Sequence, residues 1–211
     1  MNRLSKRLKI LASFISKEDS VVDVRCDHGY LGIYLKQQDL CKSIVCSDIN
    51  QNALNCAIRN VADSGLNIEC VLSDGIKSIS MNNINTIIIS GMGTATIKGI
   101  LGDREKLIKV DKIILQSNNN HEELRRFMND IGYYLDKEKY IIDKGKWYVT
   151  MLFIKSNKKN QDVELKYGYL DKNYGNYLLE NYKRIRNRIP EDNSEYQRIG
   201  IIIKEIETIM Q

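Results

Sequence analysis

Ser20-Val21-Val22-Asp23-Val24, followed directly by Arg25-Cys26-Asp27-His28-Gly29-Tyr30-Leu31, is the stretch on which the fold turns. A short apolar strand ends in polar residues and a glycine, and a helix-like segment from Tyr30 to Gln38 follows. The unit then recurs. Ser43–Ser47 ends at Asp48 and leads to a helix over Asn52–Val61, stopped by Ser64-Gly65. Ile68–Leu72 ends at Ser73-Asp74-Gly75, and Thr86–Ser90 runs into Gly91-Met92-Gly93. Lys112–Gln116 opens onto Ser117-Asn118-Asn119-Asn120 before a helix over Glu122–Ile131. Tyr140–Asp143 and Trp147–Ile154, joined by a turn at Gly145, read as a closing antiparallel hairpin. Short apolar strands alternating with helices predict an α/β fold with a parallel sheet covered on both faces. Such a sheet binds ligands beyond the carboxyl ends of its strands, where the polar and glycine-rich residues gather here.

On either side of this core the pattern changes. Leu4, Leu8, Leu11 and Ile15 share one helical face, with Arg3, Lys6, Arg7 and Lys9 elsewhere. Beyond Lys158, Leu178, Tyr182, Ile185 and Ile189 form a heptad-like seam before Pro190. Tyr196, Ile199, Ile203, Ile206 and Met210 form a second seam after it, so two helices are expected to pack as an antiparallel hairpin. The expected division is residues 1–156 and residues 157–211.

The chain has 211 residues and a formal net charge of +5, a size that suits one full domain with an appendage. No apolar run approaches the ~20 residues of a membrane-spanning helix, and the N-terminal residues do not resemble a secretory signal. A cytoplasmic monomer without metal is the expectation. The five cysteines contain no CxxC pair, and with two histidines they offer no zinc site, so they read as free thiols. The basic residues concentrate in residues 1–10 and at Lys183, Arg184, Arg186 and Arg188, a pattern suited to a polyanion or simply to solvated helix faces.

Asp23 with Asp27, His28 and Gly29 stands after the first strand, Asp48 after the second and Asp74-Gly75 after the third. One acid at a strand end is most often a helix cap, but three in succession point to a shared ligand. There is no G-x-G-x-x-G and no G-x-x-x-x-G-K-[ST]. Two carboxylates beside one glycine would repel phosphates and suit an amino-acid ammonium group. That chemistry favours S-adenosylmethionine, a zwitterionic methionine head beside a sulfonium.

Asp23-Val24-Arg25-Cys26-Asp27-His28-Gly29-Tyr30-Leu31, Ser73-Asp74-Gly75, Ser90-Gly91-Met92-Gly93 and Leu115-Gln116-Ser117-Asn118-Asn119 resemble the TrmK family of bacterial tRNA adenine-N1 methyltransferases, which act on position 22. The resemblance extends from Leu4-Ser5-Lys6-Arg7-Leu8 through the helical tail. It implies a class I methyltransferase, a Rossmann-like seven-stranded sheet with a C-terminal helical hairpin. It also implies that Asp23, Asp27, His28 and Gly29 line the methionine end of the cofactor, that Asp48 holds its ribose, and that Asp74 with Gly75 meets its adenine. Ser90, Gly91, Met92 and Gly93 would form the floor where the target base meets the sulfonium. Arg3, Lys6, Arg7, Gln116, Asn118, Lys183 and Arg184 are expected on the tRNA side, with helix capping the plainer reading of Gln116 and Asn118. Arg25, Thr94 and Ser117 stand where the family usually has Gly, Gly and Pro. At the first place glycine permits positive φ, which Arg25 adopts only with strain. Its side chain is expected either to fill the methionine pocket or to pair with Asp23 or Asp27 and point away. Two rival readings stay open: an RNA-binding relative whose pocket Arg25 closes, and a methyltransferase of another RNA or of a small molecule.

Overall fold

In the computed structural model, which describes residues 4–211, the strand order reverses beside β1 (Ser20–Val24). The seven-stranded sheet runs β3-β2-β1-β4-β5-β7-β6. β2 (Ser43–Asp48), β3 (Glu69–Leu72), β4 (Thr86–Met92) and β5 (Lys112–Ser117) join β1 through parallel pairings. β7 (Lys146–Lys155) is antiparallel to both β5 and β6 (Tyr133–Asp143). Val21, Val22, Ile87–Ile89 and Ile113–Leu115 are all sealed from solvent, because helices cover both faces of the central strands. This is the class I Rossmann-like sheet expected from the sequence.

Helix α1 (Lys6–Ala12) precedes the sheet, and Ser5 caps it by accepting from Leu8 N. The crossovers are α2 (Tyr30–Gln37), α3 (Gln51–Asp63), α4 (Thr94–Ile100) and α5 (His121–Asp130). Helix α4 has no counterpart in the sequence reading, since its Thr-Ala-Thr-Ile-Lys-Gly-Ile run is short and buries only Thr94 and Ile97. Strand β6 begins seven residues earlier than the expected Tyr140. Its first half carries Asp136-Lys137-Glu138-Lys139, and its register with β7 slips between Leu135 and Lys137. The Asn160 side chain mends the edge there, accepting from Leu135 N at 2.8 Å and donating to Leu135 O at 3.2 Å.

The chain divides into two units, one ending at Asn160 and the other spanning Gln161–Gln211. The second holds α6 (Asp162–Tyr167), α7 (Lys172–Arg186) and α8 (Ser194–Ile209). A Cβ on Gly175, early in α7, would overlap the Met210 sulfur just past the end of α8. Arg186, at the end of α7, lies 4.0 Å from the centre of the Tyr196 ring at the start of α8. The two helices are therefore antiparallel. Ile199, Ile203 and Ile206 are buried as the seam predicts, but Ile185 is exposed. Tyr174, Tyr167 and Ile202 fill the interior in its place.

Helix α5 begins directly after the β5 loop and is pinned to β6 by a buried ion pair, Arg125 Nε to Glu138 Oε1 at 2.7 Å. The Tyr140 hydroxyl donates to the other carboxylate oxygen of Glu138 at 2.5 Å. Arg125→Met would strand Glu138 as a charge in a dry interior. A loss of about 3–5 kcal/mol is expected, measured by urea unfolding at neutral pH.

Candidate functional site

A cavity of about 570 Å³ opens at the carboxyl ends of β1, β2 and β4, beside the reversal of strand order. Its near wall is the loop after β1, where Arg25 (φ 63°), Asp27 (φ 54°) and Gly29 (φ 71°) are all left-handed. Cys26 N donates to Ser47 O at 2.9 Å and Asp27 N to Asp48 Oδ2 at 3.1 Å, which holds the loop against β2. Only Gly29 adopts that conformation freely. A Cβ there would also sit 3.2 Å from the Ala57 methyl, so glycine lets the start of α2 approach α3. The strain expected at Arg25 is present, and a non-glycine residue in this region costs of the order of 1–3 kcal/mol.

Three carboxylates line the cavity. Asp23 is buried, and its pKa is pushed up to about 7, first by burial and then by the Asp48 charge, with the Arg7 guanidinium opposing. Asp48 is also buried, accepting from Asn50 N at 2.9 Å as well as from Asp27 N. Asp27 is exposed and lies 3.6 Å from His28, whose ring packs on Tyr30 at 5.5 Å. The floor is Ser90 and Gly91. Gly91 (φ 75°) is the point where the β4–β5 register slips, and such a bulge re-aims the backbone next to the cavity. A Cβ on Gly91 would come within 3.2 Å of an Arg7 nitrogen.

Arg25 lines the cavity and bonds to neither Asp23 nor Asp27 among the described residues. Its side chain is exposed, and Nη1 donates to Gly91 O at 3.2 Å across the cavity mouth. Arg7, expected on an RNA-facing surface, instead forms part of the cavity wall. Its backbone N–H donates to Asp143 at 3.4 Å, and its guanidinium lies 5.6 Å from the centre of the Tyr148 ring. Lys6 is exposed on α1, and Arg3 lies outside the described residues.

Other expected residues lie elsewhere. Asp74 is off the cavity wall and ion-paired with Lys77, while Gly75 (φ 62°) packs against Ile100. Gly29 shapes the wall from behind. Met92 and Gly93 lie beyond the bulge, where Met92 O accepts from Asn118 N at 2.9 Å and Gly93 caps α4. Gln116 is fully buried; Nε2 donates to Thr150 at 2.7 Å, and its Oε1 has no partner among the described residues. Asn118 is exposed. In the second unit Lys183 pairs with Glu207 at 2.8 Å and Arg184 donates to Asn181 at 2.9 Å, both on solvent-facing positions.

Sequence reading missed Asn50, Asn52, Ala53 and Cys56, which line the cavity from α3 and the turn before it. Asn50 carried a signal: two residues past Asp48, it caps α3 by accepting from Asn52 N and Ala53 N. Also unseen was the buried pair Thr94 Oγ1 and Ser117 Oγ at 2.9 Å. Asn119 O lies 2.7 Å from Thr94 Oγ1 and 2.9 Å from Ser117 Oγ, so one hydroxyl donates to the other and the second donates to this carbonyl.

A mixed sheet with this strand order, acids at two adjoining strand ends and a glycine bulge at the next defines a Rossmann-like methyltransferase domain. Residues 4–151 match the family described as "Methyltransferase domain". The chain belongs to that family, and within it is similar to the TrmK proteins. It is 31% identical over 153 residues to the tRNA (adenine(22)-N(1))-methyltransferase of Bacillus subtilis, a stretch covering 71% of this chain and 64% of that enzyme. The chain thus spans slightly under two thirds of that relative's length. Among solved structures it is similar to Mycoplasma capricolum TrmK bound to the cofactor product S-adenosylhomocysteine. That likeness has 29% identity and a TM-score of 0.84, with 99% of each chain covered. A Streptococcus pneumoniae protein described as a candidate tRNA (m1A22) methyltransferase superposes with a TM-score of 0.91 at 27% identity, over 99% of this chain and 100% of that one.

Burial of Asp23 is a pH-dependent burden on the fold. Below about pH 4 the carboxyl is protonated folded or unfolded, and the burden vanishes. As pH rises toward 7 only the unfolded chain ionises freely, and from there upward the penalty is complete, on the order of 4 kcal/mol. Asp23→Asn is therefore expected to stabilise the protein at pH 8, with the gain fading by pH 4 in urea titrations. Thr94→Val, which keeps the shape and deletes the hydroxyl, is expected to lose about 1–3 kcal/mol by the same measurement.

Proposed function

We propose that the chain is an S-adenosylmethionine-dependent methyltransferase that modifies N1 of an adenine in tRNA, at position 22. The observation that carries the reading is the cavity, with three carboxylates and a left-handed glycine floor at the switch point of the sheet. This donor set fits a ligand with cationic and hydroxyl groups, and it would repel a pyrophosphate. Asp23 and Asp27 would take the methionine ammonium, and Asp48 the ribose hydroxyls with lone pairs not used by Asp27 N and Asn50 N. Asp74 lies outside this set, and the adenine is assigned to the wall formed by Asn50 and Asn52. When bound, the cofactor supplies an electrophilic methyl group on a sulfonium.

The chain's own work is placement. N1 of adenine is a neutral nucleophile at pH 7, so no strong base and no metal is needed. Holding it in line with the methyl carbon is worth up to ~7–11 kcal/mol in well-oriented systems. The backbone carbonyl of Ser90 would accept from the exocyclic amine of adenine, which would separate adenine from guanine. N1 is on the pairing edge, so the target base must leave its stack to reach this floor. Lys6 on α1 and Lys183 and Arg184 on α7 would hold tRNA phosphates, and Arg7 links that basic helix to the cavity. The protein would act as a monomer in the cytoplasm, where tRNA is modified.

Unmodified tRNA incubated with protein and S-adenosylmethionine is expected to gain 1-methyladenosine at one site, read by nucleoside analysis. Absence of methyl transfer, or methylation of a different base, would sink the proposal. Asp48→Asn should lower transfer by at least tenfold through cofactor KM. Cofactor affinity should weaken as pH falls below about 7, toward tenfold per unit, as Asp23 takes up its proton. Binding of tRNA should weaken steeply between 50 and 200 mM salt.

A further inference from the structure

We infer that Arg25 is a carboxylate anchor: its guanidinium holds the carboxylate of the cofactor's methionine head. The inference rests on the cofactor reading above and concerns a position that the family usually fills with glycine. Three observations carry it. Arg25 keeps a left-handed φ of 63°, a conformation glycine would adopt without strain, and strain retained beside a cavity points to a use for the side chain. Among the described residues lining the cavity, Arg7 and Arg25 bear the only guanidinium groups, and no lysine lines it. The Arg7 guanidinium lies 5.6 Å from the centre of the Tyr148 ring and acts on the Asp23 carboxylate, whose charge it offsets.

The third observation is the contact Arg25 makes. Its Nη1 rests on one neutral acceptor, Gly91 O, at 3.2 Å, from an exposed side chain. Such a bond is weaker than a charge-assisted one to a carboxylate, which guanidinium meets with two parallel donors. A zwitterionic head entering the cavity offers that exchange. The guanidinium turns from Gly91 O to the carboxylate, and the freed carbonyl becomes available to the ammonium of the same head group. The cavity's acids supply nothing for that carboxylate, since Asp23, Asp27 and Asp48 all repel it.

The test is calorimetry on the full chain with three ligands. S-adenosylmethionine carries the whole head, decarboxylated S-adenosylmethionine lacks only the carboxylate, and 5′-methylthioadenosine lacks the amino-acid head. Arg25→Met keeps a non-glycine backbone and removes the charge, and circular dichroism checks its fold. It is expected to weaken S-adenosylmethionine binding by tenfold or more and to leave the other two ligands within twofold. Arg25→Lys should recover part of the loss. If Arg25→Met or Arg25→Gly binds S-adenosylmethionine as tightly as the parent or more tightly, the residue is a bystander or a plug and the inference falls. Equal losses for S-adenosylmethionine and its decarboxylated form would show an effect on loop shape and also overturn it. If the parent protein binds none of the three, the cofactor reading itself fails and takes this inference with it.

Discussion

Asp48 sits at the end of β2 with one carboxylate oxygen accepting from Asn50 N and the other from Asp27 N. The start of α3 and the loop after β1 therefore hang from one buried side chain. That tie is what allows Arg25 and Asp27 to remain left-handed, because backbone strain persists only where the surroundings over-determine it. Cys26 N, bonded to Ser47 O, is the second fixed point of the same loop. Without these two bonds the loop would relax toward extended backbone, and Arg25 would no longer face Gly91. The shape of the cavity is thus a consequence of hydrogen bonding between neighbouring strand ends.

The sheet was legible because parallel central strands are buried on both faces and read as unbroken apolar runs. Val21, Val22, Ile87, Ile88 and Ile114 are sealed for the same reason that they stood out in the sequence. Strand β6 was half-hidden because an edge strand meets solvent. Asp136 and Lys137 alternate with nothing apolar enough to mark it, and a bulge breaks the period. In the helical hairpin, periodicity placed Ile199, Ile203 and Ile206 correctly, yet Ile185 is exposed where Tyr174 and Gly175 are not. Packing around a small residue such as Gly175 depends on the partner's Met210, which no spacing rule contains.

At the site, the acids of β1 and β2 stand at strand ends on the cavity wall, whereas Asp74, expected there by the same logic, lies off that wall. β3 is the sheet edge, and its terminal residues are exposed, so Asp74 finds Lys77 within its own turn before it finds the cavity. Thr94 and Ser117 show the converse. Each looked like an isolated departure where glycine and proline are usual, and together they make one buried contact at 2.9 Å. One of the two hydroxyls also donates to Asn119 O, so the loop that proline would stiffen through φ is stiffened by side-chain hydrogen bonds. The constraint that proline would supply at 117 is thus supplied by Ser117 together with Thr94, a pairing visible only in three dimensions.

The charges of the cavity decide what it can hold. Three carboxylates face two guanidinium groups, and one of the carboxylates, Asp23, titrates near neutrality with a pKa of about 7. A ligand bearing phosphates would drive Asp23 further toward its protonated form, spending its affinity on proton uptake. A ligand with a sulfonium and an ammonium does the reverse, because positive charge beside Asp23 favours the carboxylate. Ligand binding and proton release at Asp23 are then two sides of one equilibrium, so each must strengthen the other by the same factor. Arg7, which already opposes the burial of Asp23, sets the starting point of that equilibrium. The basic helix α1 is in this way coupled to Asp23 in the cavity through a single side chain, without any change of fold.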